Sequence, residues 1–127
     1  MALMDALQQT GVRLRSLQRI FTGSEVLDDH VRIRARSLLG VDISDNYGST
    51  EAFIAWQCPS AKYHINSEHV FMEIVDEQGA PTPAGEMGRV LVTTLQNNLM
   101  PLVRYEIGDY AVAGVEQCRC GRTPPNA

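Results

Sequence analysis

The sequence is poor in cysteine and lysine and contains no long apolar run. No stretch approaches the roughly 20 apolar residues of a transmembrane helix, so we expect no membrane-spanning segment. The first residues, Met1–Asp5, lack the basic flank and long apolar core of a signal peptide. Three cysteines are an odd number and do not make a disulfide framework, which predicts a protein of the reducing cytoplasm.

Length and composition indicate a single folded domain. The 127 residues are 44% hydrophobic and 20% charged, as is typical of a globular chain and not of a disordered one. A net charge of -4 argues against nucleic acid and against an acidic membrane as a partner.

The heptapeptide DNYGSTE, near the middle of the chain, combines residue types that suit a nucleotide. The ring of Tyr47 can stack on a base, and Gly48 lets backbone approach a ligand closely. Ser49 and Thr50 can donate to phosphate oxygens, and Glu51 can hold Mg2+ through oxygen. The alternative is a purely structural turn between a strand and a loop. The heptapeptide alone does not decide between them.

The first part of the chain predicts a βαβ unit after a short helix. The predicted elements are a helix over 2–9, a strand over 17–21, a helix over 26–39 and a strand over 41–44. Ser24 is the predicted N-cap of the second helix, and Gly40 is placed to end it. A strand–helix–strand order favours a parallel pair of strands.

The rest of the chain predicts short antiparallel strands. They are expected over 53–57, 63–66, 68–76, 89–95, 102–105 and 110–112. The predicted fold class is therefore α+β, with a short βαβ unit followed by an antiparallel sheet or open barrel. We expect an α/β part over 1–57 and a mainly β part over 58–127.

Five segments match known motifs in order and spacing. They are Thr22–Glu25 (TGSE), Tyr47–Glu51 (YGSTE), Gly85–Val90 (GEMGRV), Met100–Asp109 (MPLVRY, then GD) and Cys118–Thr123 (CRCGRT). In turn, they resemble the GGE loop, the YGxTE motif, the GE-x-G segment, the MPLIRY…TGD stretch and the CxCGRT run of the adenylate-forming superfamily. The last run is typical of the phenylacetate–coenzyme A ligase-like branch. From about Leu17 to Pro124, the chain resembles the last part of the large N-terminal AMP-binding domain.

The resemblance implies a role for each matched residue. Tyr47 would lie against adenine, Asp109 would accept from the ribose hydroxyls, and the loop residues Gly23, Ser24 and Glu25 would line the base and acyl side. Thr50 would contact the α-phosphate and Glu51 would ligate Mg2+, as the catalytic pair, while Asn46, Gly48 and Ser49 complete the nucleotide-binding set. The family joins a carboxylic acid, often aromatic such as phenylacetate, to AMP from ATP and then to coenzyme A.

The sequence departs from the family pattern in two ways. Ile107 stands where the TGD threonine is expected, and no Gly/Ser/Thr-rich phosphate loop ending in lysine precedes the TGSE segment. Lys62, the one lysine of the chain, matches neither that lysine nor the catalytic lysine of the family's C-terminal domain. We therefore expect an inactive part of an acid–coenzyme A ligase, which binds nucleotide and coenzyme A when completed by the remainder. The alternative is a stand-alone, non-catalytic binding or assembly module.

The cysteines also predict a metal site. Cys58 and His64 form one cluster, Cys118 and Cys120 form another, and three thiolates with one imidazole are a familiar structural zinc set. The resemblance supports this, because members of the branch often carry these residue types at matching places. The alternative is three free thiols and an ordinary strand histidine.

An open edge of the βαβ unit predicts self-association. Its uncovered backbone and apolar surface can pair with a second copy, most directly through the 17–21 strand and the 26–39 helix.

Overall fold

The computed structural model describes residues 2–114 and 118–121. The elements are α1 (Ala2–Thr10), β1 (Ile20–Thr22), α2 (Asp29–Leu39), β2 (Ile43–Gly48), β3 (Phe53–Gln57), β4 (Tyr63–Ile65), β5 (Val70–Val75), β6 (Met87–Thr94) and β7 (Tyr105–Val112). The chain divides into two compact units, Met1–Asp45 and Asn46–Ala127, and this division falls within β2. Neither α1 nor α2 has the length and apolar character needed to cross a membrane.

The first unit contains the predicted βαβ arrangement. β1 pairs in parallel with the first half of β2, so that Ile20 lies opposite Ile43. Met4 of α1, Ala35 of α2 and Ile43 are buried together, which places the core between the helices and the parallel pair. The prediction of a parallel βαβ unit is confirmed.

The start of α2 differs from the prediction, whereas its end agrees. The N-cap is Asp28, whose carboxylate accepts a hydrogen bond from the His30 N–H at 2.7 Å. Ser24 is not the cap: it lies in a bend with φ 78°, and Val26 is 95% exposed ahead of the helix. The carboxylate of Asp28 faces the helix N–H groups directly, which explains why the helix starts there. Gly40 ends α2 in the left-handed conformation, as predicted.

The second unit consists of two antiparallel arrays. The second half of β2 pairs with β3, and β3 pairs with β4. β6 lies between β5 and β7. Side chains from β3, β5 and β6 form the core of the second unit. The fully or nearly fully buried members are Ile54, Ala55, Val70, Val90 and Val92. The predicted antiparallel part of the α+β fold is thus confirmed, and the strands of the described residues form open sheets.

Several predicted strand bounds are wrong. The strand predicted over 17–21 is Ile20–Thr22. The strand predicted over 102–105 does not form: β7 begins only at Tyr105 and runs without a break to Val112. β2 runs through Asp45–Gly48, so most of the DNYGSTE motif is strand and the turn starts at Ser49. The final positions of the CRCGRT match, Arg122 and Thr123, lie outside the described residues.

Candidate functional site

The predicted site residues of the first unit lie at the carboxyl end of β1. Gly23, Ser24 and Glu25 follow this strand in an exposed loop. At the same end of the parallel pair, the Thr22 hydroxyl donates to the buried Asp45 carboxylate at 2.7 Å. Ligands of parallel sheets bind beyond the carboxyl ends of the strands, so the loop is where a ligand-contacting segment belongs.

The remaining predicted nucleotide residues belong to the second unit. Asn46, Tyr47 and Gly48 end β2, and the turn that follows carries Ser49, Thr50 and Glu51. This turn is tight, because the Ser49 N–H donates to the Ala52 carbonyl at 2.9 Å and the Glu51 N–H donates to Ser49 Oγ at 3.3 Å. A side-chain hydrogen bond from Ser49 lowers the pKa of Glu51 below its ordinary value. Glu51 is therefore a partly exposed, ionised carboxylate next to two hydroxyls, which is a donor set suited to Mg2+ and phosphate.

Gly48 is required by the hairpin itself. A Cβ at this position would lie 2.7 Å from the Ala52 carbonyl oxygen and 3.2 Å from Phe53 Cα. The pairing register shifts between Tyr47 and Gly48, and the backbones of β2 and β3 approach closely at this irregularity. The structure therefore accounts for Gly48 by the close approach of β2 and β3, and the predicted approach of a ligand at this glycine stays a prediction.

Tyr47 and Asp109, which are 62 positions apart in the sequence, meet in the structure. The Tyr47 hydroxyl donates to Asp109 Oδ2 at 2.9 Å. Burial of the ring and the hydrogen bond to the negatively charged Asp109 raise the pKa of Tyr47 far above its ordinary value, so the hydroxyl stays protonated as a donor. The edge of the Tyr63 ring also contacts the Tyr47 ring, with centroids 6.4 Å apart and planes at 71°.

Ile107, the residue in place of the family threonine, has a packing role. Its side chain is half-buried against the core of the second unit. A methyl-rich side chain at this position gains core contacts and supplies no hydroxyl to a ligand.

A cavity of about 360 Å³ lies beside Glu51 in the second unit. Its lining includes Phe53, Asn66, His69, Thr94 and Asn97. Sequence reasoning did not identify these residues as a group, because they come from three separate segments. Backbone pairing links two of these segments. The chain just ahead of β5 pairs with the chain at the end of β6, where the Leu95 N–H donates to the His69 carbonyl at 2.8 Å.

The predicted metal ligands Cys58, His64, Cys118 and Cys120 come together in one cluster. Their ligand atoms all lie within 4.8 Å of one another. Cys58 directly follows β3 and His64 lies in β4, opposite Trp56 of β3, so the β3–β4 hairpin brings the first pair together. The two cysteines of the CRC segment complete the set.

The cluster is buried at its centre, with Cys58 and His64 only 3% and 1% exposed. Burial opposes ionisation of Cys58, but backbone N–H groups of Lys62 and Ser60 and the contacts with His64 and Cys118 outweigh it and lower the thiol pKa to about 6. His64 stacks on Trp56 at 5.8 Å, and its Nδ1 is buried without a hydrogen-bond partner among the described residues.

Two of the interatomic spacings in this cluster are close to those around a tetrahedral zinc ion. With Zn–S bonds near 2.3 Å and Zn–N bonds near 2.0 Å, two sulfurs lie about 3.8 Å apart and a sulfur and a nitrogen about 3.5 Å apart. The Cys58 and Cys118 sulfurs are 3.6 Å apart, and Cys120 Sγ lies 3.3 Å from His64 Nε2. Stacking on Trp56 orients the imidazole, a task that a carboxylate or carbonyl usually performs for a metal-bound histidine.

Comparison with known proteins identifies the class. No protein-family model matches the sequence. An open conformation of 2-hydroxyisobutyryl-CoA ligase, in complex with 2-HIB-AMP and CoA, matches 98% of this chain and 31% of that chain, with a TM-score of 0.85 and 18% identity. Anthranilate CoA ligase in complex with anthranoyl-AMP matches 72% of this chain and 19% of that chain, with a TM-score of 0.61 and 27% identity. The fold is therefore that of part of an acid–CoA ligase.

A sequence relative places the chain more narrowly. Phenylacetate-coenzyme A ligase of Thermus thermophilus is 34% identical over 114 residues, which are 85% of this chain and 26% of the relative. The chain belongs to the adenylate-forming superfamily, in its phenylacetate–coenzyme A ligase-like branch. It spans about a quarter of the length of the curated phenylacetate-coenzyme A ligases that it matches.

Proposed function

We propose that this chain supplies part of the nucleotide site of an acid–coenzyme A ligase. The observation that carries the proposal is the 2.9 Å hydrogen bond between Tyr47 and Asp109. These residues belong to two separate motifs, and the resemblance assigns them to the adenine and the ribose of one nucleotide. Their meeting in the folded chain is what a shared ligand requires.

In the proposed reaction, a carboxylate oxygen attacks the α-phosphorus of ATP and pyrophosphate leaves. The thiol of coenzyme A then attacks the acyl carbon and AMP leaves. Thr50 donates to the α-phosphate and Glu51 holds Mg2+, which when bound neutralises charge that develops on the phosphate oxygens. The resemblance assigns Gly23, Ser24 and Glu25 to the base and the acyl group. The names of the curated relatives favour an aryl acid such as phenylacetate as the substrate.

We further propose that the 127-residue chain keeps affinity for AMP through its own nucleotide residues, whereas full ATP and coenzyme A binding needs the remainder of the enzyme, and that the chain does not catalyse adenylation alone. The β- and γ-phosphates need a cradle of backbone N–H groups and a cation. Lys62 does not correspond to the lysine that supplies this cation in the family, because it follows the YGSTE motif in the sequence. It lies in the β3–β4 turn, where its carbonyl accepts from the Cys58 N–H at 2.9 Å.

Two measurements on the purified chain test these proposals. Calorimetry should show saturable binding of AMP, and an acid-dependent exchange of pyrophosphate into ATP should stay at background. A preparation free of full-length ligase that catalyses the exchange would refute the proposed inactivity. A folded chain with no affinity for AMP would refute the nucleotide site and favour the non-catalytic module.

We propose that Cys58, His64, Cys118 and Cys120 hold a structural zinc ion. The fit of the sulfur and nitrogen distances to a tetrahedron supports this, and four protein ligands leave no position for substrate. Thiolate ligands also agree with the expectation of a reducing cytoplasm. Metal analysis of protein purified without an affinity tag should find about one equivalent of zinc, and Cys120→Ser should lose most of it. Less than about a tenth of an equivalent in wild type would exclude a structural zinc, which contributes directly to folding.

We also propose self-association through the first unit. Among the described residues, β1 pairs with β2 alone, which leaves its other backbone edge unpaired, and the Phe21 side chain is 61% exposed. Ile33 of α2 is 69% exposed as well. Sedimentation should detect dimers at tens of micromolar, on the order of weak-dimer affinities. Phe21→Ser should weaken them, and a clean monomer at that concentration would contradict the proposal.

A further inference from the structure

Two strand irregularities of the second unit place Tyr47 and Asp109 in contact. Where β2 pairs with β3, Tyr47 lies opposite Ala55 and Gly48 lies opposite Phe53, so Ile54 is an extra residue on β3 beside Tyr47. On β7, Glu106 pairs with Leu91 and Tyr110 with Arg89, so the segment 107–109 lies opposite a single residue of β6. Bulges of this kind turn a side chain away from the direction that regular pairing would give it.

Gly108 makes the second irregularity possible. Its φ is 87°, and a Cβ built there would meet nothing within 4 Å. The glycine is therefore required for its backbone conformation and not for space. The strand can then bury Ile107 against the core and present Asp109 at the surface.

The Tyr47 side chain is held at both ends. Its ring packs against the core of the second unit and contacts the Tyr63 ring edge, while its hydroxyl reaches Asp109. A tyrosine that served only as a stacking surface would not need a hydroxyl partner. The raised pKa of Tyr47 keeps this hydroxyl protonated, in agreement with a permanent donor.

We propose that Tyr47 is a positioning residue, whose hydroxyl holds the Asp109 carboxylate in the orientation that accepts a ribose hydroxyl. The inference rests on the proposed nucleotide site and assigns to the Tyr47 hydroxyl a task separate from contact with the base. A carboxylate that is already held in one orientation loses less side-chain conformational entropy when it binds a ligand hydroxyl.

The test compares Tyr47→Phe with wild type for AMP and for 2′,3′-dideoxy-AMP. Tyr47→Phe keeps the ring, so stacking alone predicts unchanged affinity. The proposal predicts about tenfold weaker AMP binding, the usual effect of losing a hydrogen bond to a charged group. It also predicts that the two proteins bind the dideoxy nucleotide equally, since the ligand hydroxyls are gone. Tyr110→Phe, at an exposed tyrosine of β7, is the matched control and should bind AMP like wild type.

Unchanged AMP affinity in Tyr47→Phe, or an equal loss for both nucleotides, would overturn the proposal. A double-mutant cycle of Tyr47→Phe and Asp109→Asn, measured by chemical denaturation without nucleotide, tests the pair separately. The double variant should be no less stable than the weaker single variant, whereas additive losses would contradict the contact. If the cycle shows coupling but wild type binds no AMP, the nucleotide function fails while the Tyr47–Asp109 contact stands.

Discussion

The two ends of β3 carry chemically active residues in opposite surroundings. Phe53, its first residue, follows the turn in which Ser49, Thr50 and Glu51 face solvent or lie partly exposed. Its last residue, Gln57, leads directly into the buried Cys58, and the β4 strand adds the buried His64. Oxygen donors open to solvent thus lie at one end, and sulfur and nitrogen donors enclosed by protein lie at the other.

This difference indicates what each end can do. An open set of oxygen donors can exchange a phosphate and its Mg2+, whereas an enclosed tetrahedral set retains an ion as part of the fold. Substitutions at the open end should therefore change binding with little effect on stability. Substitutions at the enclosed end should do the reverse.

The largest effect is expected at the enclosed end. Cys58→Ser removes a proposed zinc ligand and should lower the melting temperature by about 10 °C or more, because the binding free energy of a structural zinc is folding free energy. Calorimetry or circular dichroism measures the shift, and a chelator should lower the melting temperature of wild type similarly. Ser60→Ala, an exposed change in the same turn, is the control and should stay within about 0.5 kcal/mol of wild type. A Cys58→Ser protein as stable as wild type would remove the distinction between the two ends.

The next effect concerns the hairpin that supports the open end. Gly48→Ala places a Cβ against the Ala52 carbonyl and should reduce the free energy of unfolding by about 1–3 kcal/mol, as overpacked sites do. Gly79→Ala tests backbone conformation alone, since the φ of Gly79 is 80° and the space around it is open. This change should reduce the free energy of unfolding by about 1 kcal/mol. Denaturant titration measures both. A smaller loss for Gly48→Ala than for Gly79→Ala would show that the close approach of β2 and β3 is not a constraint.

Glu51→Gln should change binding without changing stability. The variant should lose the Mg2+-dependent part of ATP affinity, about tenfold, and unfold within about 0.5 kcal/mol of wild type. The Ser49 hydrogen bond lowers the pKa of Glu51, so the Mg2+ effect should persist to lower pH than an ordinary glutamate allows and disappear as pH falls through that lowered pKa. Glu86→Gln, at an exposed glutamate, is the matched control. An unchanged Mg2+ effect in Glu51→Gln would place the cation elsewhere.

Ile107→Thr should have the smallest effect. It restores the family hydroxyl but puts that hydroxyl in place of the ethyl group of a half-buried side chain, so we expect stability to fall by about 1 kcal/mol or more and AMP affinity to change by less than about threefold. A large gain in affinity would show that the departure at this position limits the site.

Much of this arrangement could be predicted from the sequence, because it follows from local patterns. The alternation of Val70, Met72 and Ile74 predicted a strand there, and Gly40 predicted the end of α2. The cysteines of the Cys/His cluster could be selected by residue type, because zinc ligands are few, whereas His64 was selected among three histidines by its closeness to Cys58 in the sequence and by the family resemblance.

The rest depends on contacts between distant segments. The N-cap of α2 was misplaced because Ser24 and Asp28 are both good capping residues and only the path of the loop selects Asp28. The bulge at 107–109 interrupts alternation, so β7 appeared as two pieces. The Tyr47–Asp109 contact follows from that bulge, and no local pattern predicts it.

The most direct test of the account is ATP binding by the folded chain with and without Mg2+. Calorimetry should detect saturable binding that Mg2+ strengthens, and zinc content should stay unchanged throughout the titration. Absence of saturable binding under both conditions, in protein shown to be folded, would contradict the assignment of the Ser49–Glu51 turn as an open, ligand-exchanging site.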